Sequence, residues 1–206
     1  MRILALCLMM IALVAVSGCA QTEKSEETAA IEQIKSEKVN ISSGSLSYPA
    51  YLAAPGKKGT WPGVVMIHSF NGLEPGYLSL TDSLAAEGYV VVAPEWQTFN
   101  RTPSDESVGR LIQDCSALLK ERDDVEADNL GLTGFCAGGR YTMLFLPRMN
   151  QTFSSGVAWY GFPYSGGFLN ESRPVEFIDQ IEDPLLIIHG TYDAPSKITD
   201  IYRYAE

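Results

Sequence analysis

Short apolar runs alternate with helical patterns along the chain, and this alternation predicts its fold. Two alternating segments, 37–42 and 45–53, predict an antiparallel hairpin that turns at Ser43-Gly44. Later runs are typical of strands buried on both faces of a parallel sheet, and they cover residues 63–67, 89–93, 130–133, 156–160 and 185–189.

Between these runs, apolar side chains recur at the three- and four-residue spacing of an amphipathic helix. The predicted helices cover about residues 77–84, 108–119, 138–146 and 198–204. Cys115 falls on the apolar stripe of the second helix, which predicts a core position. Strands that alternate with helices predict an α/β fold, with a mostly parallel sheet and helices on both faces. Ligands of such folds bind at the carboxyl ends of the strands.

The first 36 residues predict a targeting signal and a linker. Residues 3–16 are an unbroken apolar run, too short to span a membrane, which indicates a signal peptide over residues 1–18. Cys19 resembles the lipidated cysteine of secreted lipoproteins; a simple cleaved signal with a chance cysteine is the alternative. Lipidation would anchor an exported protein to the outer side of a membrane. Polar residues 19–36 predict a flexible tether, which leaves 37–206 as the folded domain.

The charge balance excludes one class of partner. The chain has 15 Lys and Arg residues against 25 Asp and Glu residues, a net charge of −10, and no basic stripe. Nucleic-acid phosphates require clustered basic side chains, so we expect no nucleic-acid partner. The two histidines and the two cysteines beyond Cys19 never approach the spacing of metal ligands. We therefore expect neither a metal nor another cofactor.

The segment 134–139, Gly-Phe-Cys-Ala-Gly-Gly, joins a predicted strand to a predicted helix. It matches the nucleophile elbow of hydrolases with a cysteine as the nucleophile. Glycines two residues before and after Cys136 remove side chains that would collide at such a turn. The helix N-terminus would stabilise a Cys136 thiolate, and the Ala137 amide would face an oxyanion. A buried structural cysteine, or a disulfide with Cys115, is the alternative.

Two other loops carry candidate chemistry. Asp193 follows the strand 185–189, where a carboxylate can orient a catalytic histidine; an N-cap of the next helix is the alternative. The loop 68–73 follows the first buried strand and can supply a second oxyanion amide.

Together these segments resemble the dienelactone hydrolase family, α/β-hydrolases that use a Cys-Asp-His triad. The resemblance runs from about Val39 to the last residue and rests on segments 62–68, 71–73, 88–94, 134–139 and 189–193. It implies that Cys136 is the nucleophile and Asp193 the acid, and that the amides of Ala137 and Phe70 form the oxyanion hole. It also implies thiolate attack on a small ester or lactone, an acyl-enzyme and release by water.

The resemblance has two departures. The family often has Glu where this chain has Ser69, which makes Ser69 a candidate substrate contact with a different role. The chain has only two histidines, His68 and His189, and both are expected to pack at strand ends. The family's catalytic histidine follows a later strand. We therefore expect the last strand and helix of the fold to be missing from these 206 residues, as in a fragment or a prematurely ended reading frame.

Arg101 is the second candidate substrate contact, because family members often place an arginine for a substrate carboxylate in this region. A solvated surface arginine is the alternative.

Two functions follow for the whole chain. One is a hydrolase of small esters or lactones; the other is a non-catalytic surface lipoprotein that retains the hydrolase fold, as the missing histidine would suggest.

Overall fold

Seven strands form one mixed sheet in the computed structural model, which describes residues 34–206. The strands are β1 (Ile34–Ser43), β2 (Leu46–Pro55), β3 (Trp61–Ile67), β4 (Val90–Pro94), β5 (Val125–Phe135), β6 (Ser155–Trp159) and β7 (Leu185–Ile188). Their order across the sheet is β1-β2-β4-β3-β5-β6-β7, with β1 and β2 antiparallel and β3 to β7 parallel. The predicted mostly parallel α/β architecture is confirmed.

The N-terminal hairpin begins earlier than the sequence pattern predicts. β1 starts at Ile34, which pairs with Pro55, so residues 34–36 of the predicted tether lie in the sheet. The side chains of β1 are mostly exposed. A polar sequence is compatible with such a strand, because backbone hydrogen bonds rather than apolar burial hold it. Residues 1–33, with the predicted signal peptide and Cys19, lie outside the described residues.

Helices lie on both faces of the sheet. They are α1 (Pro75–Ala86), α2 (Asp105–Lys120), α3 (Ala137–Phe145) and α4 (Ile198–Ala205), with a 3-10 helix at Pro174–Gln180. The N-terminus of α2 is capped by Ser104, whose Oγ accepts the backbone N–H of Ser107.

The core is divided between the two faces. α2 and α3 pack against Val65, Ile67 and Leu132 on one face. α1 covers Met66 and Val91 on the other. Cys115 of α2 is fully buried, as its place on the apolar stripe predicts.

β7 is the edge strand of the described sheet and presents apolar side chains to solvent. Leu186 and Ile188 are 56% and 37% exposed. Their register partners Val157 and Trp159 line a largely apolar groove of about 270 Å³ that continues over β5 and β3. Within residues 34–206, α1 packs against β2, β4 and Met66 of β3 on this face. No helix in this range is long and apolar enough to cross a membrane.

We expect the contact of α2 with α3 to be intolerant of a single added methyl group. A Cβ at Gly109 would lie 2.6 Å from Cε1 of Phe145. Gly109→Ala should therefore lower the free energy of unfolding by about 1–3 kcal/mol, through overpacking. Gly76→Ala in α1 is the matched control, because open space surrounds that position. It should leave stability unchanged or raise it by up to about 1 kcal/mol. Urea denaturation measures both, and equal effects of the two variants would contradict the packing.

Candidate active site

Cys136 lies at a sharp turn between β5 and α3. Its backbone has φ 57° and ψ −112°, an unfavourable conformation for a residue with a side chain. The turn is held by two backbone hydrogen bonds: Cys136 N–H donates to Trp159 O at 3.0 Å, and Arg140 N–H donates to Cys136 O at 3.0 Å. Cys136 is the N-cap residue of α3, so its side chain lies at the positive end of that helix.

Glycines make this turn possible through close backbone contacts. A Cβ at Gly138 would collide with the carbonyl of Ile67, and one at Gly139 would collide with the carbonyl of Trp159. A Cβ at Gly134 would collide with the carbonyl of Gly138. The head of α3 therefore touches the ends of β3 and β6, and only glycine fits at these contacts.

A cavity of about 220 Å³ opens beside Cys136. The cysteine is partly exposed and lines the wall, as do two other predicted residues, Phe70 and Ala137. The rest of the wall is formed by three aromatic residues, Tyr141, Phe162 and Phe168, and by Arg140, Ser165 and Gly167. The structure thus brings the predicted nucleophile and both predicted oxyanion residues to one small site.

Arg140 is a residue of this site that the sequence analysis missed. Arg140 is 3% exposed, and its guanidinium makes a bidentate ion pair with Asp105, with N–O distances of 2.7 and 2.8 Å. It also donates to the carbonyl oxygens of Ser165, at 2.9 Å, and Ser172, at 2.5 Å. The available signal was a charged residue one helical turn after Cys136 in an otherwise apolar helix.

The two candidate substrate-binding residues have different positions. Arg101 is exposed, and its Cζ lies 4.5 Å from the ring centroid of Phe70, at the border of the cavity. Ser69 is 7% exposed, and its Oγ accepts the backbone N–H of Asn71 at 3.3 Å. Ser69 is not among the residues that line the cavity.

Asp193 lies in the loop after β7, where its Oδ1 accepts the backbone N–H of Ser196 at 3.0 Å. It is not the N-cap of α4, since that helix begins after Lys197. Tyr160 follows β6, and burial raises the pKa of its phenol.

Both histidines make structural contacts at strand ends, as expected. His68 is fully buried and stacks on Trp96, with 5.2 Å between ring centroids, and its Nδ1 lies 2.7 Å from Ser69 O. Burial lowers the pKa of His68 to about 4. The Nε2 of His189 lies 2.6 Å from Ser196 O, which ties the end of β7 to the loop of Asp193.

The other cysteine of the folded domain has no part in the site. Cys115 and Cys136 are both free thiols, so the alternative of a disulfide is wrong. Burial raises the pKa of the Cys115 thiol, which keeps it protonated and unreactive. In residues 34–206, no three His, Cys, Asp or Glu side chains converge in a group that could hold a metal ion.

The model of the dienelactone hydrolase family matches residues 48–203. The chain belongs to this family. The matched range contains β3 to β7, the elbow at Cys136 and the loop of Asp193, so the resemblance read from the sequence is confirmed.

Curated relatives support the same assignment. The "Putative carboxymethylenebutenolidase" of Methylorubrum extorquens AM1 is 27% identical over 176 residues, which are 77% of this chain and 60% of that protein. A protein of the same name from Salmonella typhimurium LT2 is 29% identical over 177 residues, 76% of this chain and 65% of its own length. The chain thus spans less than two thirds of the length of these relatives.

Solved structures agree with the fold. The crystal structure of the "Putative Dienelactone Hydrolase" from Klebsiella pneumoniae MGH 78578 superposes with a TM-score of 0.77 and 26% identity, over 84% of this chain and 79% of that one. Est1E from Butyrivibrio proteoclasticus superposes with a TM-score of 0.68 and 16% identity, over 81% of this chain and 83% of its own. At that identity the second likeness concerns the fold alone.

The burial of His68 predicts a pH dependence of stability. Its pKa is about 4 in the folded protein and about 6.5 when unfolded. As the pH falls, the unfolded chain takes up the proton first. The contribution of neutral His68 to the free energy of unfolding is therefore complete above about pH 6.5. It is lost as the pH falls towards 4, which lowers the free energy of unfolding by about 3 kcal/mol.

The comparison of the parent with His68→Phe isolates this effect, because an aromatic ring without a titrating group can stack on Trp96 in the same place. Urea denaturation between pH 7 and pH 4 should show a shallower loss of stability in the variant. Parallel pH curves for the two proteins would show that His68 does not titrate as described.

Proposed function

We propose that this protein hydrolyses small ester or lactone substrates through Cys136. The observation that carries the proposal is the position of that thiol: a strained elbow, a helix N-terminus behind it and a cavity in front of it. A structural cysteine needs none of these features, and Cys115 of the same chain has a fully buried position instead. Membership of the dienelactone hydrolase family supports this reaction class.

The proposed reaction proceeds in two steps. The Cys136 thiolate forms a C–S bond with the substrate carbonyl, and the carbonyl oxygen takes up negative charge. The backbone N–H groups of Ala137 and Phe70 would donate to that oxygen. Such donors lower the barrier because they stabilise negative charge as it develops. The C–O bond then breaks, and the leaving alkoxide takes a proton from the water that attacks the acyl-enzyme. Cleavage of the C–S bond releases the carboxylic acid and restores the thiolate. A lactone would open in the same way, with the alcohol still attached to the acyl group.

The remaining roles are assigned to residues at the border of the site. Asp193 is proposed as the acid that orients a proton-accepting group, since only its Oδ1 has a hydrogen bond to a described residue. Arg101 is proposed to bind a substrate carboxylate at the rim, because it lies over the ring of Phe70. Neither His68 nor His189 is proposed as the base, because each ring is committed to a strand-end contact.

The role of Cys136 is tested with p-nitrophenyl acetate and with a lactone. The protein is expressed from its gene, including any reading frame that continues after codon 206. Cys136→Ala should lower kcat/KM by about a thousandfold or more, because the covalent step is lost. Cys115→Ala is the matched control and should retain the parent's kcat/KM, although it leaves a small cavity. Full activity of the Cys136→Ala variant would reject the nucleophile, and no turnover in the parent would favour the non-catalytic alternative.

We also propose that Cys19 is lipidated and holds the folded domain at the outer side of a membrane. The support is the sequence alone: an apolar run over residues 3–16 and small residues before the cysteine. In cells, Cys19→Ser should move the protein from the membrane fraction to the soluble exported fraction, since one lipid anchor is lost. Cys7→Ser, within the apolar run, is the control and should leave the distribution unchanged. A Cys19→Ser variant that stays in the membrane fraction would reject lipid anchoring.

A further inference from the structure

The cavity beside Cys136 has a wall that is not part of the sheet or of any helix. The loop 161–173, between β6 and the 3-10 helix, provides four of its lining residues: Phe162, Ser165, Gly167 and Phe168. Phe168 packs opposite Phe70, with 5.2 Å between the ring centroids. The width of the cavity in front of the thiol therefore depends on where this loop is held.

Arg140 holds the loop at two points. Its Nε donates to the carbonyl oxygen of Ser165, and its Nη2 donates to that of Ser172, seven residues further along the loop. Gly167 lies directly against the guanidinium: a Cβ there would be 2.8 Å from Cζ. One buried side chain thus fixes both the middle and the end of the loop.

Asp105 fixes Arg140 in turn. Its two oxygens accept from both terminal nitrogens of the guanidinium, and the pair is almost completely buried. Since the guanidinium fork is planar, this pairing leaves it a single orientation, in which two of its other three N–H groups donate to the loop carbonyls. With four hydrogen bonds made and its charge neutralised, Arg140 is not a free receptor for an anionic substrate.

A second contact joins the loop 161–173 to the N-terminus of α2, which begins at Asp105. Glu171 accepts the backbone N–H of Asp105 through Oε2, at 2.7 Å. The Ser172 N–H lies 3.4 Å from Asp105 Oδ2. Glu171 is exposed and does not line the cavity, so it can affect the nucleophile only through the position of the loop.

We propose that Arg140 and Asp105 form a clamp that holds the loop 161–173 over Cys136 and limits the site to small acyl groups. Arg140 is a positioning residue in this role, because it acts through Phe162 and Phe168. Selection among acyl groups rests on the proposed function of Cys136. The accessibility of the Cys136 thiol is independent of that function, and the test therefore measures how easily reagents reach the thiol.

The experiment compares two alkylating reagents on the full chain. Iodoacetamide and its bulkier N-phenyl analogue react with the same thiol, and mass spectrometry of the Cys136 peptide gives each rate. Their ratio cancels the intrinsic reactivity of the thiol and reports the width of the cavity. The variants are Arg140→Lys, whose ammonium cannot reproduce the planar fork, and Glu171→Ala. Arg148→Lys is the matched control: this exposed arginine lies just beyond α3, over the rings of Phe145 and Phe177, and away from the loop.

Arg140→Lys should raise the bulky-to-small rate ratio about tenfold or more, the usual effect of a group that no longer excludes a substituent from a pocket. Glu171→Ala should raise it in the same direction by a smaller factor, and Arg148→Lys should keep the parent's ratio. A purely structural role would lower the melting temperature without changing the ratio. If Arg140→Lys does not fold, Glu171→Ala decides, and an unchanged ratio in that variant overturns the clamp. Full esterase activity of Cys136→Ala would refute the proposed function but leave these ratios interpretable.

Discussion

The close approach of three backbone segments at the head of α3 is the constraint on which the site depends. Gly138 touches the carbonyl at the end of β3, Gly139 touches the carbonyl at the end of β6, and Gly134 touches Gly138. With the helix this close to the sheet, the residue between strand and helix must turn sharply, and Cys136 takes a positive φ. The same contacts bring the loops after β3, β5 and β6 together, so the cavity is a consequence of the packing that strains the nucleophile.

Charge near this site is largely neutralised inside the protein. Burying two unpaired ions would cost more free energy than a domain of this size can readily lose. Arg140 and Asp105 avoid that cost through a bidentate pair and hydrogen bonds to the loop. Such a pair contributes little net stability compared with apolar residues, but it fixes geometry. His68 avoids the cost of a buried charge by remaining neutral, because burial lowers its pKa. Its ring stacks on Trp96 as an aromatic core residue.

The sequence predicts those features that depend on local pattern. Strands and helices follow from apolar periodicity, and Cys136 follows from glycines that a tight turn requires. The start of β1 was placed three residues late, because a polar edge strand is held by its backbone partner and leaves no apolar signal. Arg140 was missed for a related reason. Its charge in an otherwise uncharged helix is a local signal, but its role is not local, since its partners Asp105, Ser165 and Ser172 lie 25 to 35 positions away.

The segment 189–193 matches the family, yet its histidine makes a structural contact. His189 opens the segment that contains Asp193, yet its Nε2 bonds with Ser196 O. Ser196 then donates its N–H to Asp193 and its Oγ hydrogen to Gly161 O, which joins the ends of β6 and β7. This network holds the loop of Asp193 through one carboxylate oxygen, Oδ1. Within residues 34–206, the other oxygen of Asp193, Oδ2, makes no hydrogen bond. His189 therefore supports the loop of Asp193 through its Nε2. Within the described residues, Cys136 is placed at the positive end of α3, apart from this histidine network.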